Sequence, residues 1–296
     1  MEKNKIIILE GRGFISVNGQ DAGGFLQNIL SNDVDKVNLN NSVFSAILTP
    51  QGKYLYEFFV IKSKNGYLLD CDGGLINEII ETLSKYKLRS KIEIKDTSKD
   101  YTVGLLNFEN FQEIKNKDKL NTQTIIYRDS PIFVDPRSNL LGARIISKLE
   151  KLYLTIKKLN LKIVEEKDYL DICHKAGFPT KGLENLKEKL FGLEANLDKN
   201  HAIDFKKGCY VGQENTARMS LKKKIRKRLL PVSSAEDINL LSDIYYQKKL
   251  IGKILISKPY PFALFKLNDP DLKEFHDKEL ICENSSIKII NTLKEV

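Results

Sequence analysis

Apolar residues gather in two short runs at 6–9 and 14–17, on either side of Gly11-Arg12-Gly13. The third glycine and the following helix of a dinucleotide fingerprint are missing there, so the spacing predicts two strands joined by a hairpin turn. Asp21 is placed to cap a helix whose core face carries Phe25, Leu26, Ile29 and Leu30. Residues 43–48 and 54–62 read as strands about the turn Thr49-Pro50-Gln51-Gly52. A strand at 67–70 leads through Asp72-Gly73-Gly74, with Asp72 as N-cap, into a helix bearing Leu75, Ile76, Ile79, Ile80 and Leu83 on one face.

Further strands are expected at 92–96, 101–107 and 124–127, and the polar stretch 113–121 reads as a surface loop. Helices follow near 147–159 and 165–176, the second stopped by Gly177-Phe178-Pro179 and carrying His174 as a surface residue. Six short strands at 229–232, 244–246, 250–257, 262–266, 280–282 and 286–291 are evenly spaced, which predicts a small barrel. Because helices and strands alternate irregularly, the fold class is α+β rather than a doubly wound sheet. The expected division is an N-terminal α+β unit at 1–130, a second α+β unit at 131–225 and a β-barrel at 226–296.

Composition narrows the setting. A chain of 296 residues, 42% hydrophobic and 29% charged, can bury a sizeable core in two or three units. Its 48 basic against 39 acidic residues leave +9, which suits an anionic partner. The densest basic run, 222–228, has six basic residues in seven but lacks interleaved aromatics, so it reads as a solvated connector and direct RNA binding is disfavoured. Cys71, Cys173, Cys209 and Cys282 lie far apart, so neither a disulfide framework nor a zinc site is legible, and a reducing cytoplasm is expected. No segment approaches the ~20 apolar residues of a membrane span, so neither secretion nor membrane insertion is expected.

The chemistry concentrates in KKGCYVGQENTAR, residues 206–218. Gly208 and Gly212 bracket Cys209, Tyr210 and Val211, which suggests a turn in close approach to another group. After Gly212 the residues favour a helix, with Glu214 in its first turn and Arg218 four residues on, the order expected of an ion pair. Cys209 then precedes a helix start and follows Lys206 and Lys207, a setting that favours thiolate over thiol.

This wording closely resembles the signature of the YgfZ/Iba57 family, folate-binding proteins related to the glycine-cleavage T-protein. The likeness runs continuously from FGLEANLDKNHAIDFKKGCYVGQENTAR (191–218) into IRKRLLPV (225–232), with weaker support at 19–34, 49–57 and 134–144. It implies two intertwined α+β units around a central folate pocket, plus a C-terminal β-barrel. It also implies a role in assembling or maintaining iron-sulfur proteins, effects on tRNA modification, a tetrahydrofolate-type ligand, and iron-sulfur client or assembly proteins as partners. Cys209 matches the family's functional cysteine. Lys207, Gly208, Tyr210, Gly212, Gln213, Glu214 and Arg218, together with Glu194, Asn196 and Tyr56, fall in the motif and pocket; no metal site is implied.

Two departures matter. Register on Gly52 puts Tyr56 where the T-protein has an aspartate held to be catalytic, and a phenol with a pKa near 10 cannot act as a carboxylate at neutral pH. Glu57 alternates to the other face of the strand. The second departure is Cys173, where relatives often carry an arginine. The resemblance therefore implies an accessory factor; the alternative is a tetrahydrofolate-dependent aminomethyltransferase, against which Tyr56 argues.

Overall fold

The computed structural model describes residues 2–117, 122–222, 225–283 and 285–291. Lys223 and Lys224 of the basic run, and residues 118–121 of the polar stretch, lie outside them.

In chain order, β1 (Lys5–Leu9) and β2 (Arg12–Asn18) lead to α1 (Ala22–Ile29), which buries Phe25, Leu26 and Ile29 as the spacing predicts, and Ala22 besides, with Leu30 as its C-cap. β3 (Val43–Leu48) turns at Gly52, whose φ is 81°, into β4 (Tyr54–Ser63) and β5 (Gly66–Asp72). Asp72 caps the next turn by accepting from the Gly74 N–H at 2.8 Å, before α2 (Ile76–Lys87). β6 (Glu93–Asp96) and β7 (Thr102–Leu106) are followed by α3 (Phe108–Lys117). This helix corrects the loop expected from residue 113: Asn107 accepts from the Asn110 N–H at 2.7 Å, and Phe111 and Ile114 bury one turn apart.

β8 (Thr124–Tyr127), β9 (Ser130–Val134) and β10 (Ala143–Ser147) precede α4 (Leu149–Lys158), β11 (Lys162–Val164) and α5 (Lys167–Lys175). Gly177, at φ 76°, stops α5 as expected. After α6 (Gln213–Leu221) come β12 (Lys227–Ser234), β13 (Asp243–Tyr246), β14 (Lys249–Ile256) and β15 (Phe262–Lys266), then α7 (Leu272–Phe275), β16 (Leu280–Cys282) and β17 (Ser285–Ile289).

The chain forms two compact units, each assembled from separated segments. The first comprises residues 1–47, 56–169 and 199–211. It carries a six-stranded sheet, β11-β1-β7-β10-β9-β8, and most of a five-stranded sheet ordered β3-β4-β5-β2-β6. The hairpin expected of the first two strands does not form: β1 pairs with β7 and β11, whereas β2 pairs with β5 and β6. The glycines serve a close approach instead. The Gly73 N–H donates to the Gly11 carbonyl at 2.8 Å, and a Cβ on Gly13 would come within 2.9 Å of Gly73 Cα.

Residues from both sheets meet in a buried ionic cluster. Asp70 of β5 accepts from Arg12 Nε at 2.6 Å and from Arg144 Nε and NH2 at 3.1 and 2.9 Å. Arg137 engages Asp135 through Nε and NH2 at 3.0 and 2.8 Å, and both Arg137 and Arg144 donate to the Tyr169 hydroxyl. The Phe59 ring lies 4.2 Å from the Arg144 guanidinium carbon and 5.0 Å from that of Arg137. Removing one member leaves an uncompensated buried charge, which costs about 3–5 kcal/mol. Arg144→Met is therefore expected to lose stability on that scale in urea unfolding, and a loss below about 1 kcal/mol contradicts the role given to the cluster.

The second unit comprises residues 48–55, 170–198 and 212–296 and contains the expected barrel, closed in the order β12-β15-β14-β13-β16-β17 around Val232, Ile251, Phe265, Phe275 and Ile287. His174 is not the surface residue its polarity suggested. Its ring packs against Tyr260 and Phe262 at 4.9 and 5.2 Å, with Nε2 3.0 Å from the Pro261 carbonyl. Burial holds the imidazole pKa below its ordinary 6.5. Below that pH the unfolded chain takes up a proton that the folded chain excludes, so stability falls as pH falls. A wild-type urea midpoint that drops between pH 7.5 and pH 5 more steeply than that of His174→Gln is the expected result; parallel profiles count against it.

Candidate functional site

The predicted motif divides between the units after Val211. In the first unit the segment before that boundary is laid along α1 and its following loop. Ser31 Oγ donates to the Ala202 carbonyl at 2.7 Å, Asn32 Nδ2 to the His201 carbonyl at 2.8 Å, and the Val211 N–H to the Asn28 carbonyl at 3.2 Å. Lys36 and Asp204 form an ion pair along the same edge.

Lys207 is the centre of this attachment. Its ammonium donates to the carbonyls of Gln27, Leu30 and Asn32 at 2.7, 2.6 and 3.0 Å, and stands 5.1 Å from the Tyr210 ring centroid. Three N–H donors thus meet carbonyls left over at and beyond the end of α1. The residue is only 7% exposed, and desolvation pushes its pKa down to about 8, against the opposing pull of Asp33, Asp204 and Asp35. The lysine that the sequence presented as a charge beside the thiol is a buried strut.

Between the buried Lys207 and Tyr210, Gly208 and Cys209 are exposed. Cys71, Cys173 and Cys282 are buried. Burial pushes the Cys71 thiol up to about 12 and that of Cys282 up to about 11. Tyr56 is buried on β4, and its hydroxyl donates to Glu78 Oε2 at 3.2 Å. Glu57 is half-buried, and alternation along β4 sets it on the other face.

In the second unit Gly212, at φ 85°, is the N-cap of α6. A Cβ there would come within 2.5 Å of the Thr49 carbonyl oxygen, and one on Gly52 within 3.2 Å of the Gly212 carbonyl. Asn215 Nδ2 donates to the Gln51 carbonyl at 2.7 Å, so the start of α6 is seated on the turn between β3 and β4. Gln213 and Glu214 occupy the first turn. Arg218 donates to Asn215 Oδ1 at 2.7 Å, a different partner from the Glu214 its spacing suggested.

Glu194 is buried; its Oε2 accepts from the Phe191 N–H at 3.0 Å and its main-chain carbonyl from the Leu229 N–H at 2.9 Å. Asn196, at φ 61°, donates through Nδ2 to the Leu229 carbonyl at 2.6 Å. Arg228, hidden in a run that reads as solvated charge, binds Asp198 through both guanidinium nitrogens at 2.6 and 2.8 Å. The buried charges of Arg12, Asp70, Asp135, Arg137 and Arg144 were likewise not anticipated from the sequence. An arginine inside the apolar run of β10 was the available signal.

Two pairs of variants separate scaffold from surface. Lys207→Ala is expected to cost about 2–4 kcal/mol because it orphans three carbonyls, against under about 0.5 for the exposed Arg218→Ala. Gly212→Ala is expected to cost about 1–3 kcal/mol from its positive φ and the clash with Thr49, whereas Gly208→Ala, with nothing within 4 Å of the added methyl, stays near neutral. Melting temperatures that fail to separate within each pair refute the assignment.

No protein-family model matches the chain. It is 32% identical over 243 residues to the iron-sulfur cluster assembly factor IBA57 homolog of Mycosarcoma maydis, covering 77% of this chain and 57% of that one. Its identity to the Dictyostelium discoideum homolog is 26% (81% and 65% covered) and to the mouse protein 25% (76% and 64%). The chain thus spans less than two thirds of the length of these relatives. Its structure is similar to the glycine cleavage system aminomethyltransferase T of Bartonella henselae, with a TM-score of 0.74, 14% identity, and 99% and 86% of the two chains covered.

The cytoplasmic setting expected from the cysteines is corrected by this comparison, since the relatives are named as mitochondrial proteins. Unpaired cysteines mark any reducing compartment and do not tell one from another. No helix among the described residues is long and apolar enough to cross a membrane. In sequence the chain is thus similar to iron-sulfur cluster assembly factor IBA57 homologs, in keeping with the resemblance of its motif, and in fold it is built as aminomethyltransferase T is.

Proposed function

We propose that this chain is an accessory factor for iron-sulfur proteins that works through Cys209. The observation that carries the reading is the contrast among its four cysteines: three are buried, and Cys209 alone is exposed, held out between Lys207 and Tyr210. Clusters of iron and sulfide are held by about four thiolate-type ligands, so a cluster handled here as cargo takes one sulfur from Cys209 and completes its set from an assembly or client protein. The names of the relatives support this class of partner. Impaired tRNA thiolation is then a downstream effect on a client.

A reduced folate is the ligand in this reading. The fit rests on Glu194, whose buried carboxylate accepts a hydrogen bond at one oxygen and has acceptor capacity left for the N–H edge of a pterin, with Asn196 fixed beside it in sequence by the Leu229 carbonyl. When bound, a reduced folate supplies a carrier for one-carbon groups. Aminomethyl transfer is the second reading, favoured by the T-protein-like fold. Against it, Tyr56 puts a phenol where that chemistry calls for an ionised carboxylate, already hydrogen-bonded to Glu78.

In thiol mapping near neutral pH, Cys209 is expected to alkylate about 100-fold faster than Cys71 or Cys282. A slower Cys209 removes the premise. Complementation of a strain lacking the family member is expected with the wild type and not with Cys209→Ser; full rescue by the serine variant overturns the cysteine-based reading. Calorimetry with tetrahydrofolate is expected to show binding, and a glycine-cleavage assay no turnover above background, whereas robust turnover promotes the transferase.

A further inference from the structure

The first unit carries a concave feature that includes none of the motif residues. It is a groove of about 690 Å3 lined by the ends of β4 and β10, the starts of β9 and α4, and Ile126 of β8. Its floor follows from strand alternation. Ile125, Ile132 and Ile145 face the core under α3 and α4 with Phe111 and Leu152, so an adjacent residue on each strand, Ile126, Pro131 and Ile146, faces the other way. Ile126 is paired with Pro131, and the register of Ile145 on Ile132 sets Ile146 beside Pro131, giving one apolar row across three strands. Ile126 is 48% exposed and Leu39, on the rim, 57% exposed.

Lys62, Lys64, Lys148 and Lys151 line the same groove, with Asp129, 3.1 Å from Lys151, as the one acidic residue among its described lining. Lys62 stands over the Tyr67 ring at 4.3 Å.

Beside this groove, β8 is the last strand of its sheet among the described residues. Its turn to β9 has two residues, Arg128 and Asp129, both at positive φ (51° and 62°), which makes Tyr127 and Ser130 the hydrogen-bonded pair and Ile126 and Pro131 the non-bonded one. Pro131, with no N–H, suits that place. The main-chain N–H and C=O of Ile126 therefore face away from β9. Two residues earlier, in the same phase, the Thr124 N–H donates to the Asn40 carbonyl at 2.9 Å.

The geometry points to a docking site for an extended acidic segment of a partner protein, added at the edge of β8 with alternate apolar side chains on the Ile126-Pro131-Ile146 row and its carboxylates among the lysines. Period-two alternation is what such a segment needs to present both surfaces at once. The excess of three positive charges selects acidic over basic partners and speeds encounter.

The test uses the full chain and a fluorescein-labelled nine-residue peptide alternating glutamate with valine, followed by anisotropy. Saturable binding is expected, weakened at least about tenfold by Lys62→Glu with Lys148→Glu, and comparably by Ile126→Asp, at melting temperatures matching the wild type. If a charge reversal lowers the melting temperature, Lys62→Gln with Lys148→Gln takes its place, with the same direction expected. Slowed amide hydrogen exchange at Ile126 on peptide addition is the companion signature of strand addition. Unchanged binding in the variants, unslowed exchange at Ile126, equal binding of an all-glutamate peptide, or no saturation by about 1 mM peptide each overturns the proposal.

Discussion

Asp70, fully buried in the first unit, accepts hydrogen bonds from two arginines, one on its own sheet and one on the other. Such a carboxylate has few alternatives: without both guanidiniums it is a buried charge, and with them it fixes where β2, β5 and β10 stand. Apolar packing alone tolerates small slips between sheets, because leucine and isoleucine accept many neighbours. A fork of guanidinium nitrogens on two carboxylate oxygens does not. The second pair, Asp135 and Arg137, is joined to the first through the Tyr169 hydroxyl.

The motif shows the same economy on a smaller scale. Lys207 ties carbonyls around the end of α1 to a segment far along the chain, and Cys209, two residues on, is exposed. Two glycines near the motif have opposite standing. Gly212 is demanded by its dihedral and by the Thr49 carbonyl, while Gly208 has open space around it.

Much of the fold was legible because it rests on periodicity: the stripe on α1, the turn at Gly52, the stop at Gly177 and the barrel strands all declare themselves locally. The first two strands misled, since Gly11 and Gly13 look like a hairpin turn, and nothing local says that each strand finds its partner elsewhere. The same holds for the site. Cys209 was legible from its motif, but Lys207, His174 and Arg228 read as surface charge because polarity predicts exposure, and only tertiary neighbours supply the carbonyls, rings and carboxylate that let them be buried. Arg144 hid in plain sight within an apolar strand.

The chain passes between its two units five times, at 47/48, 55/56, 169/170, 198/199 and 211/212. A ribosome has to reach residue 211 before the first unit holds every piece it needs, and the final piece is the motif segment itself. Until then the carbonyls at the end of α1 wait for a lysine 175 to 180 residues away in sequence. Contacts of such separation close late and slowly. The thiol is therefore presented in its native setting only when the first unit is finished, and a chain cut short before residue 207 has neither the thiol nor a completed helix end to present it on.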